Sequence, residues 1–198
     1  MSEITRREVL HRLALTIAAA GTVDRLAAQD VHHMVQQSAT AAGGRYAPKA
    51  LSSHEFQTLE RLTDRIIPAE DQKPGAVQAD VAAWIDTLLN VNNELKARYT
   101  SGLAWLDRSM TDRGAADFVG ATASQQTELL DLIAYQRHRS AELNPGIDFF
   151  ILARRMTADG FYTSPIGMRD VYLGNSPQAT FTVPPASMEH VLNRAPLK

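Results

Sequence analysis

The chain has 198 residues, of which 44% are hydrophobic and 21% are charged, with a formal net charge of −2 and no cysteine. This composition predicts a folded protein with one main hydrophobic core. The small net charge argues against nucleic-acid binding, and the lack of cysteine excludes disulfides, thiolate zinc sites, Cys-ligated iron–sulfur clusters and c-type haem attachment. We therefore expect any redox cofactor to belong to a partner.

The N-terminal segment has the arrangement of a twin-arginine export signal. Arg6 and Arg7 precede a moderately apolar run over residues 13–21. This run is shorter than the stretch of about 20 apolar residues that spans a membrane. The pattern predicts export to the periplasm, and the alternative is an amphipathic helix with an incidental arginine pair. Because this pathway carries folded proteins, often with a partner, we expect the chain to escort another protein.

We assign the export signal to residues 1–28. Ala27 and Ala28 are small enough for a cleavage site, but Leu26 stands where alanine is preferred, so cleavage and retention both remain open. Residues 29–50 are predicted to form a linker. They contain His32 and His33, but neighbouring side chains point apart and no third ligand follows, so no metal site is predicted.

Residues 51–160 are predicted to form an all-α domain, a bundle of about five principal helices between Ser52 and Asp159. Ser52 and Glu55 form a capping box at the first helix start, and Pro68 ends that helix. Pro74-Gly75 then forms an elbow with positive φ expected at Gly75, and a second apolar stripe begins at Val77. Three more helices are predicted, with the fourth ending near Ser140 and the fifth capped by Gly160 in the left-handed conformation. Gly102 in the third helix indicates close helix packing.

Candidate catalytic groups do not have the spacing that chemistry needs. Glu128, Asp131 and His138 lie on the fourth predicted helix, but a metal-binding helix commonly places its histidine three residues after its glutamate. The chain also has no glycine-rich nucleotide fingerprint, P-loop or nucleophile elbow. We therefore predict no catalytic, cofactor-binding or metal-ligating residue in this chain.

Residues 161–198 are predicted to form an irregular C-terminal arm. The segment is rich in aromatic and small residues and has no sustained period. Two interpretations remain open, and both can hold. The arm can pack on its own bundle, or its aromatic side chains can anchor a partner protein.

Two groups of residues resemble the gluconate 2-dehydrogenase subunit 3 family. The first is the Leu-Ser opening at residue 51, the Thr-Asp-Arg-Ile-Ile-Pro helix end, the Pro-Gly-Ala elbow and the Ile-Asp pair of the second helix. The second is a double phenylalanine at residues 149–150, followed by residues 160–164, 166–167 and 174–175 in the family's order. The resemblance covers about residues 51–181.

The resemblance implies a non-catalytic small subunit of a periplasmic flavin-dependent sugar or polyol dehydrogenase. Such a subunit binds a large glucose-methanol-choline-type catalytic subunit and supports its folding and export. FAD is expected in that partner, and electrons would pass from it to a cytochrome c. The partner-binding side chains expected here are Phe149, Phe150, Phe161, Tyr162, Ile166 and Tyr172. The alternatives are a stand-alone exported binding domain and an enzyme in its own right.

Overall fold

The computed structural model describes residues 25–71 and 73–172, in which the regular structure is helical. The helices are α1 (Arg25–Ala41), α2 (Ser53–Ile66), α3 (Val81–Leu89), α4 (Asn93–Thr111), α5 (Ala123–Ile133), α6 (Asn144–Thr163) and α7 (Pro165–Tyr172), with a 3₁₀ turn at Gln136–His138. The described ranges contain no strand, only an isolated bridge between Glu70 and Lys73. The predicted all-α class is confirmed.

The five predicted helices are α2 to α6. At the start of α2, Ser52 Oγ accepts from the Glu55 N–H and the Glu55 carboxylate accepts from the Ser52 N–H, so the predicted capping box is confirmed. A second capping box, between Thr122 and Gln125, starts α5. Both boxes satisfy N–H groups that a helix start would otherwise leave unpaired.

Helix α3 lies at the centre of the bundle. All nine of its residues are buried, and α1, α2, α4 and α6 pack around it. A helix that is buried on every side is stable only when other elements cover it and its polar side chains are paired. The side chain of Trp84 is completely buried there.

The linker predicted over residues 29–50 is wrong for residues 29–41, because residues 25–41 form helix α1. Ala28, Val31 and Val35 are buried at spacings of three and four residues, so one face of α1 packs on the bundle. The other positions are mostly polar, including the exposed His33, and this dilutes the apolar stripe in the sequence. Burial of that stripe stabilises a segment whose composition resembles a linker.

The connector between α1 and α2 is fixed to α3 by one buried carboxylate. Asp86 accepts hydrogen bonds from the backbone N–H groups of Lys49 (2.7 Å), Ala50 (3.1 Å) and Leu51 (2.9 Å). The Tyr46 hydroxyl donates a fourth bond, of 2.8 Å. The Asp86 side chain is fully buried, and its four hydrogen bonds pair polar groups that would be costly to bury without a partner. We call these five residues the Asp86 clasp.

The elbow after α2 differs from its prediction in two ways. Gly75 does not have positive φ; among the elbow residues that the structure describes, those with positive φ are Asp71 and Asp80. A Cβ on Gly75 would instead lie 2.6 Å from the Pro68 carbonyl carbon, so glycine is needed for close backbone approach. Because α3 begins only at Val81, Val77 lies in a turn and is 37% exposed.

Two predicted helix ends are also wrong. The fourth predicted helix, α5, ends at Ile133 and not near Ser140, because Tyr135 adopts an extended backbone before the 3₁₀ turn. Helix α6 continues through Gly160 to Thr163. Gly160 therefore lies inside the helix and does not cap it. It faces Trp84, whose Cε3 would lie 3.0 Å from an added Cβ.

The close packing predicted at Gly102 is confirmed. An added Cβ would lie 2.6 Å from Cδ1 of Phe149, so the absence of a side chain lets the Phe149 ring pack directly on α4.

Candidate functional site

Helices α6 and α7 meet in a tight corner, residues 160–169, which we call the α6–α7 corner. Ser164 leaves helical geometry with φ −71° and ψ 155°, and Pro165 begins α7. The Ser164 hydroxyl donates to the Phe161 carbonyl (2.7 Å) and accepts from the Gly167 N–H (2.9 Å), so it both ends α6 and caps α7. A Cβ on Gly167 would lie 2.8 Å from the Phe161 carbonyl carbon. Glycine therefore allows α7 to pack against the end of α6.

The two aromatic residues of the corner differ in their exposure to solvent. Phe161 is 5% exposed and belongs to the core, whereas Tyr162 is 53% exposed. Their rings form an edge-to-face pair with centroids 5.2 Å apart. Ile166, on α7, is half-buried and packs against the core. An exposed tyrosine supported by a core aromatic is typical of a binding anchor.

The other predicted partner-binding residues are placed differently. Phe149 and Phe150 are 5% and 7% exposed, and Phe149 packs edge-to-face on Tyr99 at 5.5 Å. With Phe161, they belong to this chain's own core. The side chain of Tyr172 lies outside the described part of the structure, as do Arg6 and Arg7.

Helix α1 contributes a buried histidine beside the corner. His32 Nε2 lies 3.2 Å from Thr163 Oγ1, and its ring stacks on Trp84 with centroids 5.9 Å apart. Burial lowers the pKa of His32 from 6.5 to about 4, so the ring is neutral at pH 7. The sequence alone raises only the question of a metal-binding role for His32. The signal that identifies its role is the apolar spacing of α1, which places His32 next to Val31 on the buried face.

The candidate metal ligands and acidic side chains of the sequence do not form a site in the part of the chain that the structure describes. In residues 25–71 and 73–172, no group of three His, Asp or Glu side chains could hold a metal. Glu128 accepts from Ser124, and His138 Nδ1 bonds to the Leu132 carbonyl, so each side chain has a local partner on or near its own helix. A groove of about 370 Å³ runs along α2 between Glu60, Asp64 and Val77, and its lining is mainly polar. No helix within the described ranges is both long and apolar enough to span a bilayer.

The comparison with protein families covers the helical body and the corner together. The model of gluconate 2-dehydrogenase subunit 3 matches residues 53–179, well over half of the chain. No curated protein and no solved structure matches significantly. Apart from the Leu-Ser opening at residues 51–52, the match includes both groups of residues that carry the resemblance, from the α2–α3 elbow to the α6–α7 corner. The chain therefore belongs to the gluconate 2-dehydrogenase subunit 3 family, which its name describes as a subunit of a dehydrogenase.

Proposed function

We propose that this chain is the non-catalytic small subunit of a periplasmic FAD-dependent sugar or glycoside dehydrogenase. The observation that carries the proposal is the family match over residues 53–179. In this proposal the chain binds a glucose-methanol-choline-type catalytic subunit and supports its folding. FAD belongs to that subunit, and electrons leave it for a cytochrome c without passing through a group on this chain.

The α6–α7 corner supplies the docking surface in this proposal. Tyr162 offers a rigid, half-exposed ring with few rotatable bonds, so its burial against another protein costs little conformational entropy. Gly167 and Ser164 fix the backbone under it, and Phe161 supports the ring from the core side. The surface is therefore already formed before the partner binds.

Export supplies the second half of the proposed function. Arg6 and Arg7 precede the apolar run in the order that the twin-arginine machinery reads. A pathway for folded cargo suits a subunit that carries a folded flavoprotein with it. The catalytic subunit then reaches the periplasm only as a complex with this chain.

Co-expression with the catalytic subunit tests both halves. The complex should co-purify with FAD absorbance in the catalytic subunit and none in this chain when it is purified alone. Changing Arg6 and Arg7 together to lysine should stop the export of both proteins. Active catalytic subunit in the periplasm of that double variant would contradict the escort function. Flavin absorbance in the isolated chain would favour an enzyme, and failure of the two chains to associate would favour a stand-alone binding domain.

A further inference from the structure

The end of the export segment lies inside the folded domain. Ala28 belongs to the first turn of α1 and is 0% exposed. Its carbonyl accepts a hydrogen bond of 3.2 Å from Trp84 Nε1, in the centre of the bundle. One turn later, Val31 and His32 are buried as well. The bond between Ala28 and Gln29, where a signal peptidase would cut, is therefore part of a packed helix.

A protease requires an accessible backbone that can leave its regular structure. Cleavage concentrates at exposed loops and termini, and a packed bond is cut only during transient opening. To free Ala28, the first turns of α1 must unwind, and the Trp84 indole must lose its acceptor. The contacts of His32 with Trp84 and Thr163 oppose this opening.

Removal of residues 1–28 would also leave a defect in the core. Trp84 Nε1 would remain buried without the Ala28 carbonyl, and an unsatisfied buried donor is destabilising. The start of α1 also contacts the α6–α7 corner, because Gln29 Nε2 donates to Met168 Sδ at 3.1 Å. The truncated chain would begin at Gln29, so the turn of α1 that positions this contact would be lost.

We propose that folding protects the Ala28–Gln29 bond, so that the mature subunit keeps its export segment. This inference rests on the proposed export function, since only a chain that folds before export meets the signal peptidase in this state. Helix α1 begins beside the α6–α7 corner, so the protected bond lies next to the surface proposed to bind the partner.

Limited proteolysis of the purified full chain tests the protection directly. An elastase-type protease that cuts after alanine is applied in native buffer and in urea, and cleavage after Ala28 is followed by mass spectrometry. The native rate should be lower by more than about 100-fold. His33→Pro breaks α1 at an exposed position and should raise the native rate at least about tenfold, whereas the matched His33→Ala should not. Equal rates in native buffer and in urea would overturn the proposal.

The intact mass of the chain recovered from the periplasm supplies the second measurement. The expected mass includes residues 1–28, and a mass that starts at Gln29 would overturn the inference. If no chain reaches the periplasm, the proposed export function is wrong, and the proteolysis experiment still decides whether the bond is protected. The two failures are thus distinguishable.

Discussion

The Tyr46 hydroxyl donates a hydrogen bond of 2.8 Å to Asp86 Oδ2, which joins the α1–α2 connector to the buried helix α3 across 40 residues of chain. The same carboxylate holds three consecutive backbone N–H groups, at Lys49, Ala50 and Leu51. The Asp86 clasp therefore fixes the position of α1 relative to the bundle. Helix α1 carries His32 to the α6–α7 corner, so the clasp also supports that surface.

Asp86→Ala should be strongly destabilising. It leaves several buried donors without an acceptor, and each unsatisfied buried donor costs about 1–3 kcal/mol. Asp86→Asn should cost less, about 2 kcal/mol, because one acceptor oxygen remains while the new amide faces other donors. Urea unfolding measures both variants. Asp131→Asn, at an exposed position on α5, is the matched control and should stay within about 0.5 kcal/mol of wild type. A wild-type midpoint for Asp86→Ala would refute the clasp.

Gly75→Ala should lower stability for steric reasons. The new Cβ would lie 2.6 Å from the Pro68 carbonyl carbon and 2.7 Å from the Ile67 oxygen, so the elbow must shift. Overpacking of this kind costs about 1–3 kcal/mol. Gly43→Ala is the control for strain alone, since Gly43 has φ +79° with open space around it. The melting temperature should fall more in Gly75→Ala than in Gly43→Ala. A larger fall in Gly43→Ala would argue against close packing in the elbow.

The sequence predicted the helices whose ends have strong local chemistry. The capping box at Ser52 and the helix end before Pro68 depend on neighbouring residues alone, so the local sequence is sufficient to predict them. The roles of Gly75 and Gly160 depend instead on which distant backbone or ring approaches them. A left-handed turn and a close contact both favour glycine, and only the fold distinguishes them.

The candidate site was also predictable only in part. The family pattern at residues 160–167 indicates the segment, but it does not show that Phe161 is buried and Tyr162 is exposed. Adjacent helical positions point about 100° apart, so one ring enters the core while the other faces solvent. Helix α1 is not predicted because polar positions dilute its apolar stripe, and its stability comes from packing against α3.

Acid should destabilise the domain partly through His32. Its pKa is 6.5 in the unfolded chain and about 4 in the fold, so the unfolded state takes up the proton first as pH falls. The contribution is complete above pH 6.5 and is lost progressively towards pH 4, to a total of about 3 kcal/mol. Urea unfolding at pH 7.5 and 4.5 should show a smaller decline in His32→Asn than in wild type. Identical declines in wild type and His32→Asn would exclude this role for His32.

Phe161 and Tyr162 should separate stability from partner binding. Phe161→Ala removes a buried ring and should cost about 3–5 kcal/mol in the isolated subunit. Tyr162→Ala removes a half-exposed ring and should change stability by less than about 1 kcal/mol. If Tyr162 anchors the catalytic subunit, its loss should cost about 2 kcal/mol of binding, a factor of about 30 in Kd.

The measurement is the affinity of folded subunit variants for the purified catalytic subunit, with melting temperatures recorded in parallel. Tyr135→Ala is the matched control, because Tyr135 is 47% exposed and lies after α5, away from the α6–α7 corner in the chain. It should bind like wild type. Wild-type affinity in Tyr162→Ala, or an equal loss in Tyr135→Ala, would show that the corner does not bind the partner. The α2 groove between Glu60 and Val77 would then be the next surface to test, through Val77→Asp.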